Sequence, residues 1–394
     1  MKDAPVVGPA AVCGNGKLLE LRRDEDGVHE VRFISEPRSS PQALWFNIEV
    51  SELGASAVRF VWDCADTTLG NPAHLDILRP VLKADEGDWR RCEAVQVVDT
   101  PDGRRQVVFE QAEPCERVCA AFCYPYAPDD LAATLSDLGD AWERTVIGLT
   151  TEGRELPRLR PAGTDSPAEP ERPGVYLMAR QHAGETPGSW VMDGILRFVA
   201  GEDSQAQEYR EKVDWWLAPF ADLDGVVNGN YGKDALPWDF NRAWEPMPMR
   251  PEIHALQRDL RRFAERTQPR LVVDLHGPGH DGKDVFVQLP RDERPEEQKE
   301  AARNFVLHLM RQFPELNPEE VWKPTRYASR WNALATVGGW TWDQLEQTLN
   351  ITVETSYQTL AGNVLEREDY RDIGRRVALA VFEWLAAREG VRAQ

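Results

Sequence analysis

Val175-Tyr176-Leu177-Met178-Ala179 runs through Arg180-Gln181-His182-Ala183-Gly184-Glu185 into Thr186-Pro187-Gly188-Ser189-Trp190-Val191-Met192. Five consecutive apolar residues ending at a polar turn read as a buried strand. The apolar spacing that follows reads as an amphipathic helix over about 188–200. Thr186 is expected as the N-cap and Pro187 as the first helical residue, where its missing N–H costs nothing. His182 and Glu185 then sit three apart in a turn at the carboxyl end of a strand. An imidazole and a carboxylate so placed can converge on one divalent metal, and the donor set suits zinc. HxxE spacing is common by chance, so the reading depends on a third ligand and a base further along.

Outward from this turn the chain alternates. Apolar strands are expected at 146–149, 175–179, 213–219, 271–275, 285–289 and 351–354, with helices at about 188–200, 251–267, 295–312 and 366–388. Strand–helix alternation over this length implies an α/β domain with a largely parallel or mixed sheet. The Pro-, Arg- and Gly-rich stretch 157–173 reads as a surface loop. Before residue 125 the pattern is different. Short β-branched and aromatic runs at 29–34, 44–50, 57–62, 106–110 and 118–124 follow one another without helices, the signature of an antiparallel β-sandwich. The expected organisation is a sandwich domain over 1–130 and an α/β domain over 131–394.

Composition narrows the function classes. With 46 basic against 66 acidic residues the net charge is −20, which argues against nucleic-acid binding and against docking on anionic lipid. The 42% hydrophobic content and 14 tryptophans exclude a disordered chain. The first residues lack a signal-peptide apolar core and no stretch reaches membrane-spanning length, so a cytoplasmic location is expected. Cys13, Cys64, Cys92, Cys115, Cys119 and Cys123 form no CxxC pair and are expected as buried reduced thiols.

The third ligand candidate is His276, directly after the strand 271–275. It and His182 both lie at carboxyl ends of strands, where open α/β sheets place their sites. His280 follows across Gly277-Pro278-Gly279, which prevents a helical pair, and reads as a loop residue. Two His and one Glu leave a metal an open position for water. Glu354 ends the short strand Ile351-Thr352-Val353 and is the candidate general base. In Asp239-Phe240-Asn241-Arg242, Arg242 can grip a carboxylate with paired hydrogen bonds and Asn241 can donate another. Asp239 can accept from a ligand histidine and fix its tautomer.

In this order the segments resemble the zinc carboxypeptidase family, and within it the cytosolic carboxypeptidase-like branch. His182-Ala183-Gly184-Glu185-Thr186-Pro187-Gly188-Ser189-Trp190-Val191-Met192 is similar to that branch's HPGETPGSWVM. Asp224-Gly225-Val226-Val227-Asn228-Gly229-Asn230-Tyr231 is similar to its DGVxxGNY, and Asp239-Phe240-Asn241-Arg242 to its DLNR. Asp274-Leu275-His276-Gly277, Val353-Glu354-Thr355-Ser356 and the aromatic Tyr124-Pro125-Tyr126 also have counterparts. The resemblance spans roughly residues 110–388 and implies an α/β/α fold with a mixed sheet. It further implies one Zn2+ per chain on His182, Glu185 and His276. Glu354 becomes the catalytic base, Asn241 and Arg242 the anchors of a substrate's terminal carboxylate, and the substrate a peptide or a protein C-terminus.

One departure stands out. The branch usually has Arg directly after its GNY, where it polarises the scissile carbonyl. Here Tyr231 is followed by Gly232-Lys233-Asp234. Lys233 offers a charge from a shifted position, without the guanidinium fork. The leading expectation is a metallocarboxypeptidase. An amidase or deacylase acting on a small carboxylate-bearing amide or a cell-wall peptide is the alternative, and a degenerate binding protein a third reading. The tyrosine that closes over substrate in digestive relatives has only Tyr357 as a candidate. Arg326 and Arg330 are candidates for a pocket that takes acidic C-termini.

Overall fold

A computed structural model of the chain describes residues 5–63, 74–164, 172–324, 335–346 and 348–389. Cys64, Arg326 and Arg330 lie outside them. The strands up to residue 121 are β1 (Val6–Pro9), β2 (Lys17–Arg23), β3 (His29–Ile34), β4 (Asn47–Trp62), β5 (Val81–Ala84), β6 (Arg90–Arg91), β7 (Gln96–Asp99) and β8 (Arg105–Ala121). They form one hydrogen-bonded sheet of order β2-β3-β4-β8-β5-β6, with β1 added on β4 and β7 on β8. Two expectations change here. The runs 44–50 and 57–62 are not separate strands but parts of β4, and 106–110 and most of 118–124 belong to β8. The reason is a bulge: Glu52, Gly54 and Ala55 take left-handed φ of 58–60°, and the register with β8 shifts there while pairing continues on both sides. Nor is the sheet purely antiparallel, because β3 runs parallel to β4. Its aromatic core includes Phe60 stacked on Phe109 at 5.2 Å and Phe46 edge-on to Trp62 at 4.9 Å.

The second sheet contains β9 (Trp142–Leu149), β10 (Glu155–Pro161), β11 (Arg172–Ala179), β12 (Asp214–Ala218), β13 (Thr267–His276), β14 (Val285–Leu289), β15 (Trp322–Pro324) and β16 (Leu349–Thr355). Its order is β15-β14-β16-β13-β11-β12-β10-β9. The central run β16-β13-β11-β12 is parallel, while β14 joins β16, and β10 joins β12, antiparallel. This is the mixed sheet expected from the alternation.

β10 corrects the expected loop over 157–173. Residues Leu156–Pro161 are buried strand, and β11 already begins at Arg172. Arginines looked like surface residues, but here they have internal partners. Arg158 lies 3.5 Å from Asp259 and 3.9 Å over the Trp216 ring, and Arg160 donates to Asp214 at 2.9 Å. Paired and stacked guanidinium groups can occupy a strand that composition alone assigns to solvent.

The helices are α1 (Pro128–Asp137), α2 (Thr186–Val199), α3 (Ser204–Lys212), α4 (Leu223–Asn228), α5 (Pro251–Ala264), α6 (Glu296–Gln312), α7 (Val337–Gln344) and α8 (Arg367–Glu389). They cover both faces of the second sheet. Tyr176 of β11 turns to Phe263 and Asp259 of α5, whereas Gly188 of α2 presses on Leu275 of β13. α2 and α8 touch backbone to backbone: a Cβ on Gly194 would lie 2.1 Å from Arg371 O, and one on Gly374 2.0 Å from Val191 O. No helix among the described residues is long and apolar enough to cross a membrane.

The two sheets share a continuous apolar core, with Phe122 packed edge-on against Tyr357 at 5.1 Å. A buried cation crosses the same boundary. Arg91 of β6 donates to Tyr357 O, Tyr370 Oη and Arg79 O, each at 2.8 Å.

Candidate active site

The parallel register assembles the site. Ala179 pairs with Leu275, and His276 pairs with Glu354, so the ends of β11, β13 and β16 lie side by side. After β11 the chain turns sharply at Arg180, whose φ is +62°. The buried Arg180 guanidinium holds that turn by donating to Ala183 O at 2.7 Å, Tyr126 O at 2.9 Å and Ser189 Oγ at 3.1 Å. Helix α2 starts one residue earlier than expected: Glu185 occupies the N-cap and Thr186 the first helical position. The Glu185 side chain makes no capping bond because both of its oxygens are committed elsewhere.

Those commitments gather a cluster of side chains that could hold a metal ion. Glu185 Oε1 lies 2.8 Å from His182 Nδ1, and Oε2 lies 2.7 Å from His276 Nδ1. The candidate ligand atoms of His182, Glu185 and His276 all fall within 4.8 Å of one another, and all three residues are buried. The far nitrogens are held from behind. His182 Nε2 faces Asp239 Oδ2 at 3.1 Å, as expected for a tautomer-fixing carboxylate, and His276 Nε2 faces Asp274 Oδ2 at 2.7 Å. Sequence reasoning quoted Asp274 without giving it a role. Its spacing two before His276 on a strand, which puts both on one face, was the available signal. Gln181 extends this outer layer, donating to Asp274 Oδ2 at 2.6 Å and accepting from Trp244 Nε1 at 2.7 Å.

The charges in this cluster are strongly coupled. Burial would raise the Glu185 carboxyl, but His182, Lys233 and His276 outweigh it and hold the group well below the usual carboxylate range. Burial would lower both histidines. Glu185 and Asp239 nevertheless carry His182 above its ordinary value, and Asp274 and Glu185 carry His276 well above it. Glu354 goes the other way from Glu185: burial raises it, and Lys233 and His276 only partly compensate. Its Oε2 is buried with no hydrogen-bond partner among the described residues.

His182, His276, Glu354, Lys233, Asn241 and Arg242 all line one cleft that is open to solvent. Asn241 and Arg242 sit on a single 3₁₀ turn that Asp239 starts by accepting from Asn241 N at 2.7 Å. Asn241 Oδ1 accepts from Val337 N at 3.3 Å, and Arg242 Nη1 donates to Asn241 O at 2.8 Å. Lys233 reaches further in than its position suggested, with Nζ 3.0 Å from Glu185 Oε1 and 3.3 Å from Gly277 O. Gly232 makes this possible. It has φ +90°, and a Cβ there would lie 2.8 Å from Ala183 N, so a side chain at this position would have to displace the ligand turn.

Two other residues considered in the sequence lie apart from the cluster. Tyr357 is fully buried behind Gly277 and against Phe122, outside the cleft lining. His280 is buried but not part of the ligand cluster. Cys13, Cys92, Cys115 and Cys123 are buried free thiols and Cys119 is part-buried. Burial pushes Cys92 and Cys119 up to about 12.

Residues 130–303 match the zinc carboxypeptidase family. Human cytosolic carboxypeptidase 6 is 27% identical over 303 residues, covering 69% of this chain and 60% of the relative. Human cytosolic carboxypeptidase 1 is 31% identical over 184 residues, covering 42% and 15%. The chain thus spans at most 60% of these relatives. A metallo-carboxypeptidase from Burkholderia cenocepacia has a similar fold at 19% identity, with TM-score 0.78 over 98% of this chain and all of that one. A Pseudomonas aeruginosa metallo-carboxypeptidase, solved with (2-guanidinoethylmercapto)succinic acid, gives TM-score 0.76 at 20% identity, over 98% and 100%.

Proposed function

Because residues 130–303 carry a zinc carboxypeptidase domain, we propose that the chain is a zinc-dependent metallocarboxypeptidase that removes the C-terminal residue of peptides or protein tails. The observation that carries this reading is the donor cluster of His182, Glu185 and His276 opening on the same cleft as a buried, unpartnered Glu354 oxygen. Two imidazoles and one carboxylate suit zinc and leave a position for water. One Zn2+ per chain is the proposed complement. Bound there, zinc would bring the pKa of a water to about 7 and polarise a carbonyl.

The chain's own groups supply the rest. His182 and His276 each present Nδ1, with Nε2 held by Asp239 and Asp274. Glu354 takes a proton from the attacking water and delivers it to the leaving amine nitrogen, so that water adds across the broken C–N bond. Asn241 Nδ2 and the Arg242 guanidinium hold the terminal carboxylate, which fixes the scissile bond one residue from the end. We also propose residues 1–130 and 131–394 as two domains, the first folding its bent sheet into a sandwich, and a cytosolic location like that in the relatives' names.

The Gly232-Lys233 replacement favours one competing reading, an amidase acting on a small carboxylate-bearing amide. A peptide panel with free and amidated C-termini separates the two. The proposed activity releases the last residue only from free C-termini and only with zinc present. Equal cleavage of amidated peptides would remove the carboxypeptidase reading.

A further inference from the structure

The stretch that carries Lys233 into the cleft is held mostly by residues from the other end of the chain. Asn15 Nδ2 donates to Gly229 O at 2.8 Å, and Arg38 donates to Asn228 O. Leu236 N donates to Ser39 O at 2.7 Å. The buried Ser40 hydroxyl donates to Lys233 O itself, and Gln42 Nε2 donates to Asp234 Oδ2 at 2.6 Å. Trp45 closes the same seam: a Cβ on Gly184, in the ligand turn, would lie 3.0 Å from its Cβ. Residues 13–45 therefore fasten the loop 228–236 at five points, from Asn228 to Leu236.

The fastening reaches the metal ligands by a short route. Asp234 N donates to Asp239 Oδ2 at 2.9 Å, and that same carboxylate backs His182 Nε2. Lys233, whose own carbonyl takes the Ser40 bond and whose neighbour Asp234 takes the Gln42 bond, reaches with its side chain to Glu185 and the cleft. A lysine tethered only by its own flexible stem would sample solvent. Clamping the backbone on both sides of it removes that freedom before substrate arrives.

We propose that the connection between β3 and β4 is a working part of the active site: Ser40 and Gln42 are positioning residues that hold Lys233 at the cleft, where its ammonium meets the carbonyl oxygen as negative charge develops on it. The inference rests on the metallocarboxypeptidase reading. It assigns to residues 13–45 a role that the isolated α/β domain cannot supply.

A double-mutant cycle tests it with four full-length proteins: wild type, Lys233→Met, the Ser40→Ala/Gln42→Ala pair, and the triple variant. Kinetics use the best free-carboxylate peptide of the panel on zinc-loaded protein. Lys233→Met is expected to lower kcat about 10²-fold with KM little changed, and the pair about 10-fold. The triple variant is expected to be no slower than Lys233→Met, because the clamp acts through that side chain. Lys233→Arg should recover part of the loss.

A second readout needs no turnover. Zinc affinity is measured against a chromogenic chelator on metal-free protein. Lys233 holds Glu185 Oε1, so its removal is expected to tighten zinc binding several-fold. The clamp pair should shift affinity the same way, and the triple variant should match Lys233→Met. Gln42→Ala alone, with its thermal melt, replaces the pair if the pair does not fold. Additive losses in the triple variant, unchanged kcat in the clamp variant, or weaker zinc binding in Lys233→Met would overturn the proposal. A wild-type protein that binds no zinc would overturn the underlying functional reading instead.

Discussion

The two halves of the cleft are built by different means. His276 and Glu354 stand side by side at the ends of parallel strands. His182 and Glu185 follow the neighbouring strand β11 on a turn held by Arg180, so sheet register and one short turn bring them together. Lys233, Asn241 and Arg242 stand on irregular chain between α4 and α5. Their positions depend on side-chain bonds to Asp239, on Val337 and on residues 13–45. Register is stiff, because a slip would turn every buried strand residue to the wrong face. Irregular chain is only as stiff as its cross-links. The metal half should therefore tolerate changes in the loop, while the substrate half should fail independently of metal.

The largest effects are expected where the strand-end half is cut. His182→Ala or His276→Ala should lower zinc from about one per chain to well below that, measured by metal analysis after dialysis. Glu354→Gln should keep full zinc and lower kcat roughly 10²- to 10⁴-fold. Zinc loss in Glu354→Gln would place that residue among the ligands and break the division of roles.

The next pair of variants sharpens the comparison, because Asp239 and Asp274 play matching parts on opposite sides. Each backs one ligand histidine, so Asp239→Asn and Asp274→Asn should both weaken zinc roughly 10- to 100-fold in a chelator competition. Only Asp239 also holds the loop half, through Asp234 N and Asn241 N. At saturating zinc, Asp239→Asn should still show a raised KM, and Asp274→Asn should not. Equal KM values for the two would mean the halves are not separable.

The same division explains what the sequence made legible. The strand-end residues announced themselves because each follows an apolar run, and a parallel sheet turns such positions into neighbours. Strand 285–289 and the helices near 251, 296 and 367 came close to their observed bounds for the same reason. β10 was hidden because its arginines are satisfied by Asp259, Asp214 and Trp216, none of them local. β4 and β8 read as four strands because a bulge looks like a turn in composition. The hold of Ser40 and Gln42 on the 233–234 loop joins residues more than 190 positions apart. No spacing rule reaches across that distance. Asn241 and Arg242 were legible as a possible carboxylate handle, to which the resemblance gave a specific role, and Lys233 only as a departure from it.

A smaller effect is expected at Gly232. Alanine there must accept φ +90° and a Cβ 2.8 Å from Ala183 N. Strain of this kind costs about 1–3 kcal/mol, read as a lower midpoint in chemical denaturation. The added Cβ sits on the loop and presses on the ligand turn at Ala183 N and His182 Cα; the loop is the softer of the two, so kcat should drop with zinc content unchanged. A variant that lost zinc instead would show that the ligand turn, not the loop, gives way.

The mildest test varies pH alone. In the metal-free protein His182 and His276 have raised pKa values, sustained by Glu185, Asp239 and Asp274. A raised histidine contributes stability that is fully present below its unfolded value, near 6.5, and is lost as pH rises through the folded value. Glu185, held low, contributes stability above its ordinary value of 4.5 that is lost only as pH falls through the depressed one. The metal-free protein should thus be most helped by this cluster between those limits and weaken on the alkaline side. Zinc requires both imidazoles unprotonated, so its affinity should rise with pH, by up to about two protons' worth of slope while both titrate. The gain in melting temperature on adding zinc should accordingly widen as pH rises toward the raised histidine values. Lys233→Met should change the size of that gain but not its direction, since the protons in question belong to the strand-end half. A gain that shrank with rising pH would mean the histidines are not the groups that zinc displaces protons from.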